Sequence, residues 1–264
     1  MADAPLPDID TSVPHSARVW NYWLGGKDNY AVDRDLGDKV VAVYPAIRDL
    51  ARASRQFLAR AMRYLVQDAG IRQFLDIGTG LPTVDNTHEI AQRLAPESRI
   101  VYVDNDPLVL THARALLTSS PEGKTDYVDA DLRDPATILR QAAETLDFDR
   151  PIALILNGIM GHIEDYAEAR SIVARLVEAL PSGSYLELYD GSRLGEGIAD
   201  AADSYNDSDT VPYYVRPPEE IIGFFDGLEP VEPGIVPIQE WRPDESQFGS
   251  PVHVDAVGGV ARKP

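Results

Sequence analysis

The chain has 264 residues, 44% of them hydrophobic, enough to build one large domain or a domain with a cap. It lacks cysteine, which excludes a disulfide framework and thiolate metal sites, and His15, His88, His112, His162 and His253 show no close pairing of the kind a dedicated metal site needs. A net charge of −19, spread along the chain, disfavours nucleic acid or anionic membrane as partner, and with no signal-like N-terminus and no membrane-length apolar run the expectation is a cytoplasmic protein.

Residues 1–46 read as an arm or cap, because RVWNYWLGGKDNYAVDR (18–34) carries four aromatics around a Gly-Gly turn without strong periodicity. Residues 47–66 place Ile47, Leu50, Phe57, Leu58, Ala61 and Leu65 at helical steps, which predicts a long amphipathic helix. Apolar, β-branched runs then start at even intervals: QFLDIG at 73, RIVYVDND at 99, TDYVDAD at 125 and PIALILNG at 151, with SYLELYDG following at 184. That interval holds one strand, one helix and two short loops, so residues 47–264 predict an α/β domain with a doubly wound, parallel sheet. Helices are expected over 83–95 (from Thr83 and Asp85), over 107–118 (Pro107 after a capping Asp106) and over 165–180. Residues 191–216, rich in Gly, Asp and Ser, read as an inserted loop or lid. PEEIIGFFDGL reads as a helix, EPVEPGIVP as a proline-broken edge and VHVDAVGGVARK as the last strand.

FLDIGTGLPT (74–83) places Gly78 and Gly80 between the first strand and its helix. Glycines there let backbone approach a ligand beside free helix N–H groups, although a tight turn requires them on steric grounds alone. A P-loop is excluded because no Gly-Lys-Ser/Thr follows, and the dinucleotide fingerprint is incomplete, with Thr83 at its third position. Asp76, two residues before Gly78, would repel a diphosphate and attract a cation, such as the amino group of an amino acid. Asp104, at the end of the second run, stands where a carboxylate grips a ribose diol, while Asp106 reads as a cap. Asp131 can accept from an adenine amino group with the Leu132 backbone against the ring, and Asp131 and Asp134 serve equally well as caps.

These residues carry a resemblance. The pattern D-x-G-x-G, an acidic residue after strand two and D-L after strand three resembles the Rossmann-like class of S-adenosylmethionine-dependent methyltransferases. NYWLGGKDNYAVDR, FLDIGTGLPTVDNTHEIAQ, VYVDNDPLVL, PPEEIIGFFDGLEPVEPGIVP and the terminal GGVARKP are similar to an actinobacterial family of such methyltransferases whose substrate is unassigned. The resemblance implies a mostly parallel seven-stranded sheet with an antiparallel last strand. It also implies S-adenosylmethionine as cofactor, with Asp76, Gly78 and Gly80 on its methionine part, Asp104 on the ribose, Asn105, Asp131 and Leu132 on the adenine and Asn157 near the amino acid moiety. Pro82 departs from the class, which has a third glycine there.

A methyl donor carries its own electrophile, so the protein needs chiefly to align a nucleophile and exclude water. Candidate acid–base groups are His162 and Glu164 beyond the fourth strand and Tyr22 from the arm, although His162 also reads as a loop residue and Glu164 and Asp165 as caps. Trp20, Tyr22 and Trp23 can cover the cofactor's sulfonium or simply pack the arm. The sequence after strand four, NGIMG, lacks the D/N-P-P-Y/F of enzymes that methylate nucleic acid amino groups. The expected acceptor is therefore a small molecule; a non-catalytic S-adenosylmethionine sensor would carry the same cofactor residues.

Overall fold

The structure, a computed structural model, describes residues 10–82, 85–109, 111, 118–195, 197–244 and 252–264. Five parallel strands form its centre: β1 (Gln73–Ile77), β2 (Arg99–Asp104), β3 (Lys124–Asp129), β4 (Ala153–Asn157) and β5 (Tyr185–Gly191). β8 (Ala256–Arg262) runs antiparallel to β5 and also pairs with the two-residue strands β6 (Glu229–Pro230) and β7 (Val236–Pro237). The order is β3-β2-β1-β4-β5-β8-β6, with β7 also on β8. Among the described residues the sheet thus has eight strands rather than seven. The expected edge run is split because Pro233 and Gly234 lie between its two halves, and proline cannot donate to a ladder.

The strand period of two decides which side chains meet which helices. In β1, Phe74 joins the core under α3 (Ile47–Arg63) and α4 (Thr87–Leu94), whereas Leu75 and Ile77 join the opposite core with α5 (Pro135–Ala142) and α6 (Tyr166–Glu178). Asp76 shares the Phe74 face, so its carboxylate is directed at α4. Beyond Arg63, α3 widens into a single turn over Tyr64–Asp68. The helix expected at 83–95 begins later: Asp85 has φ +58, and Asn86 caps Thr87 in a reciprocal box with Glu89. Thr83 lies outside the described residues, as do 112–117 of the helix expected after Pro107. At its start Asp106 behaves as a cap, its Oδ1 accepting from Leu108 N at 2.8 Å.

The N-terminal segment is more regular than its sequence suggests, forming α1 (Ser16–Trp23) and α2 (Ala31–Val43). A single enclosed carboxylate ties them together: Asp33 accepts from His15 N, Tyr30 N and the buried Arg18 Nε. Residues 191–216 are not a plain loop. They contain α7 (Gly197–Asn206), whose Ile198, Ala201 and Tyr205, at steps of three and four, are buried. Of its five apolar residues three are alanines, and set among Asp, Gly and Ser they gave too weak a periodic signal to announce it. The short α8 (Pro218–Ile222) and the turn Gly223–Phe225 fill the place read as helical. No helix among the described residues is long and apolar enough to cross a membrane.

Candidate functional site

The carboxyl ends of β1 to β4 open into one cavity of about 300 Å³, roofed by α1, α2, α3 and α7. Asp76, Gly78, Gly80, Asp104, Asn105, Asp131, Leu132, Asn157 and His162 all line it. The turn after β1 has glycines at the two places where the backbone is left-handed, Gly78 at φ +75 and Gly80 at φ +64. A Cβ on Gly78 would come within 2.6 Å of Ile159, while one on Gly80 would meet nothing within 4 Å. Gly78 is therefore needed for packing as well as conformation, and Gly80 leaves open room beside the backbone.

The carboxylates are arranged around this turn. Asp104 Oδ2 accepts from Gly80 N at 3.0 Å and its Oδ1 from Asp106 N at 3.0 Å, which fixes the turn to the end of β2. Burial raises its pKa, against those two backbone donors. Asp76 is buried, accepts from Thr87 Oγ1 at 2.6 Å, and is pushed up to about 6 by burial, although the Thr87 hydroxyl and the Arg55 guanidinium hold it down. Asp131 and Asn105 are more open. Asp131 Oδ1 accepts from Arg133 N at 2.8 Å, while Asp134 caps α5 through Thr137 N.

One group unforeseen in the sequence stands behind this ring. Glu187 on β5 is fully buried, and burial pushes its carboxyl up to about 8. Its Oε1 accepts from Asn157 Nδ2 at 3.1 Å, leaving buried Glu187 Oε2 and Asn157 Oδ1 without partners. The register explains the encounter: Asp76 and Glu187 both pair with Ile155, one strand to either side, so they share a sheet face. Only the strand order reveals that.

At the other side of the mouth, His162 sits in the short turn Met160–His162 and its ring packs edge-on against Tyr213. Its Nδ1 lies 2.8 Å from Pro212 O, and burial lowers its pKa. The Tyr213 hydroxyl donates to Asp190 Oδ1 and accepts from Gly191 N. Glu164 is exposed, and Asp165 caps α6 by accepting from Glu168 N. Tyr22 is not brought to the cavity. Its ring lies over Gly37, its hydroxyl donates to Asp38 at 2.7 Å, and its neighbours Trp20, Asn21 and Trp23 take the lining positions instead. Helical rotation puts Tyr22 on the α2 side of α1.

The chemistry of the donor set fits S-adenosylmethionine. A cation with an amino group suits Asp76 and the unpartnered Asn157 Oδ1, a diol suits Asp104, and the open side of Gly80 leaves backbone within reach of the ligand. Among the described residues no group of His, Asp and Glu is arranged to hold a metal ion.

Comparison with known proteins agrees. A family model described as S-adenosyl methyltransferase matches residues 2–264. The fold is similar to a DUF574 family protein from Streptomyces avermitilis MA-4680, at 47% identity and TM-score 0.92, covering 97% of this chain and 100% of that one. It is also similar to a candidate methyltransferase from Thermobifida fusca YX, at 40% identity and TM-score 0.89, covering 98% of each chain. Human N-acetylserotonin methyltransferase in complex with SAM shares the fold alone, at 14% identity and TM-score 0.51 over 92% of this chain and 62% of that one. No curated protein matches the sequence.

Proposed function

Since the chain belongs to the S-adenosyl methyltransferase family, we propose that its cavity takes S-adenosylmethionine and a small-molecule acceptor side by side. It is an S-adenosylmethionine-dependent methyltransferase by that membership. When bound, the cofactor supplies a methyl group on a positively charged sulfur, taken by an acceptor's lone pair while the carbon–sulfur electron pair stays on sulfur.

The chain's own residues supply position and charge. Asp76 and Asn157 hold the amino group, Gly78 and Gly80 allow close backbone approach, Asp104 binds the ribose hydroxyls, and Asn105, Asp131 and Leu132 bound the adenine. Residues 1–46 act as the cap on the 47–264 domain, with Trp20 and Trp23 shielding the positive sulfur from water. A small acceptor is favoured over nucleic acid by the net charge of −19. A donor made and spent inside cells places this work in the cytoplasm.

The observation that carries the site assignment is Asp76, an enclosed carboxylate whose ionised form calls for a cation. Calorimetric titration of S-adenosylhomocysteine and of adenosine tests it. Asp76→Asn should weaken the first at least about tenfold and leave the second unchanged, whereas Asp104→Asn should weaken both. Unchanged S-adenosylhomocysteine affinity in Asp76→Asn would overturn the assignment.

A further inference from the structure

The cavity has two unlike halves. Strand ends line one with carboxylates and glycines; helices and the 211–215 segment line the other with Trp20, Leu24, Leu50, Ile198, Val211 and Val215. His162 belongs to the lining where the chain leaves β4.

Its surroundings fix its hydrogens. Pro212 O can only accept, so the imidazole nitrogen facing it, Nδ1, carries the proton, and in the neutral ring Nε2 is then a bare acceptor. Among the described residues Nε2 has no hydrogen-bond partner. The ring is also held in place. Tyr213 meets it edge-on at 5.2 Å between centroids. Asn206 brackets the Tyr213 backbone with two hydrogen bonds, and Tyr214 N donates to Gly161 O at 2.8 Å. Gly161 supplies the room, because a Cβ there would run into the Tyr213 ring.

The basic groups nearest His162 are Arg133 and His15, and both stand beside carboxylates: Arg133 lies 3.5 Å from Glu168 and 3.9 Å from Asp131, His15 lies 3.1 Å from Asp106, and buried Asp190 takes the Tyr213 hydroxyl on Oδ1 alone. Arg133 Nη2 donates to His162 O, and His15 stands on the arm at the cavity wall. With those basic groups paired, what His162 offers an acceptor is the bare Nε2, which takes a hydrogen bond from a hydroxyl.

We propose that the helical half of the cavity is the acceptor subsite, that the acceptor is a compact, uncharged, largely apolar molecule with one phenol-like hydroxyl, and that His162 Nε2 takes that hydroxyl's proton. This rests on the methyl-donor reading above. The acceptor O–H bond breaks with its electron pair left on oxygen, the proton forms an N–H bond at Nε2, and the imidazolium passes it to water. Tyr213 and Gly161 are positioning residues that act through His162.

The probe is 4-nitrophenol, added to the protein saturated with S-adenosylhomocysteine, with which no methyl transfer occurs. At about pH 6 the phenolate fraction of bound probe should exceed that of free probe about threefold. His162→Asn keeps a donor for Pro212 O but lacks Nε2; it should still bind nitrobenzene and lose the phenolate shift. Nitrogen NMR of the wild type, independent of any variant, should show His162 protonated at Nδ1 and its Nε2 signal moving when nitrophenol is added. An unmoved Nε2 signal, or benzylamine binding more tightly than the phenol, would overturn the proposal. Failure of S-adenosylhomocysteine to bind would instead overturn the donor reading, and nitrophenol added alone still reads His162.

Discussion

Replacing Asp76 with asparagine separates the cost of burying a charge from the use made of it. Folding raises the Asp76 pKa from the ordinary 3.8 to about 6, so the folded state holds that proton more tightly than the unfolded one. The stability this provides is complete below pH 3.8 and is lost as pH rises through 6. At neutral pH the ionised carboxylate therefore costs about 3 kcal/mol, at roughly 1.4 kcal/mol per pKa unit. Asparagine does not titrate, so the variant should gain on the wild type by about 1.4 kcal/mol between pH 5 and pH 7, the part of the cost that falls in that window. The amide brings a buried N–H₂ with no assured partner, which costs about 1–3 kcal/mol, but that penalty is the same at both pH values and cancels from the comparison. The assay is urea unfolding of both proteins at pH 5, 6 and 7, above the sequence pI of 4.5. A stability difference that stays flat across the window, or that moves in favour of the wild type, would refute the account of Asp76 as a strained, buried anion.

The two glycines of the turn should respond differently to alanine. Gly78→Ala combines a left-handed backbone with overlap on Ile159 and should lose about 1–3 kcal/mol of stability together with donor binding; Gly80→Ala, with open space at its Cβ, should lose about 1–2 kcal/mol while binding falls as steeply, as thermal unfolding and calorimetry will show. On α1, Trp20→Ala should weaken S-adenosylmethionine about 2- to 30-fold, the range of a lost cation–π contact, whereas Tyr22→Phe should leave that affinity unchanged because the Tyr22 hydroxyl is bonded to Asp38. Equal effects of the two substitutions in a binding titration would count against the shielding role of Trp20.

Period and punctuation in the sequence determined the βα cadence, the glycine turn and the acidic residues at successive strand ends. Each is a local property: alternation selects a face, glycine permits a positive φ, and the residue at a strand's carboxyl end must lie at the mouth of a parallel sheet. Asp76, Asp104, Asp131 and His162 could therefore be singled out as candidates, and the cavity brings them together. Tyr22 could not be judged in this way, because the rotation of a short helix relative to its neighbours decides which of Trp20, Tyr22 and Trp23 points inward. Glu187 and Asn157 lie 30 residues apart, and their contact exists only because β4 and β5 are adjacent. Likewise, the tautomer of His162 is set by Pro212, 50 residues on, in a segment whose helix α7 draws most of its apolar residues from alanine, too weak a signal among Asp, Gly and Ser to be visible in advance. Short-range sterics and hydrophobic period act within a few residues and can be read along the chain, whereas pKa shifts, tautomers and buried partners depend on what distant segments bring within a few ångströms.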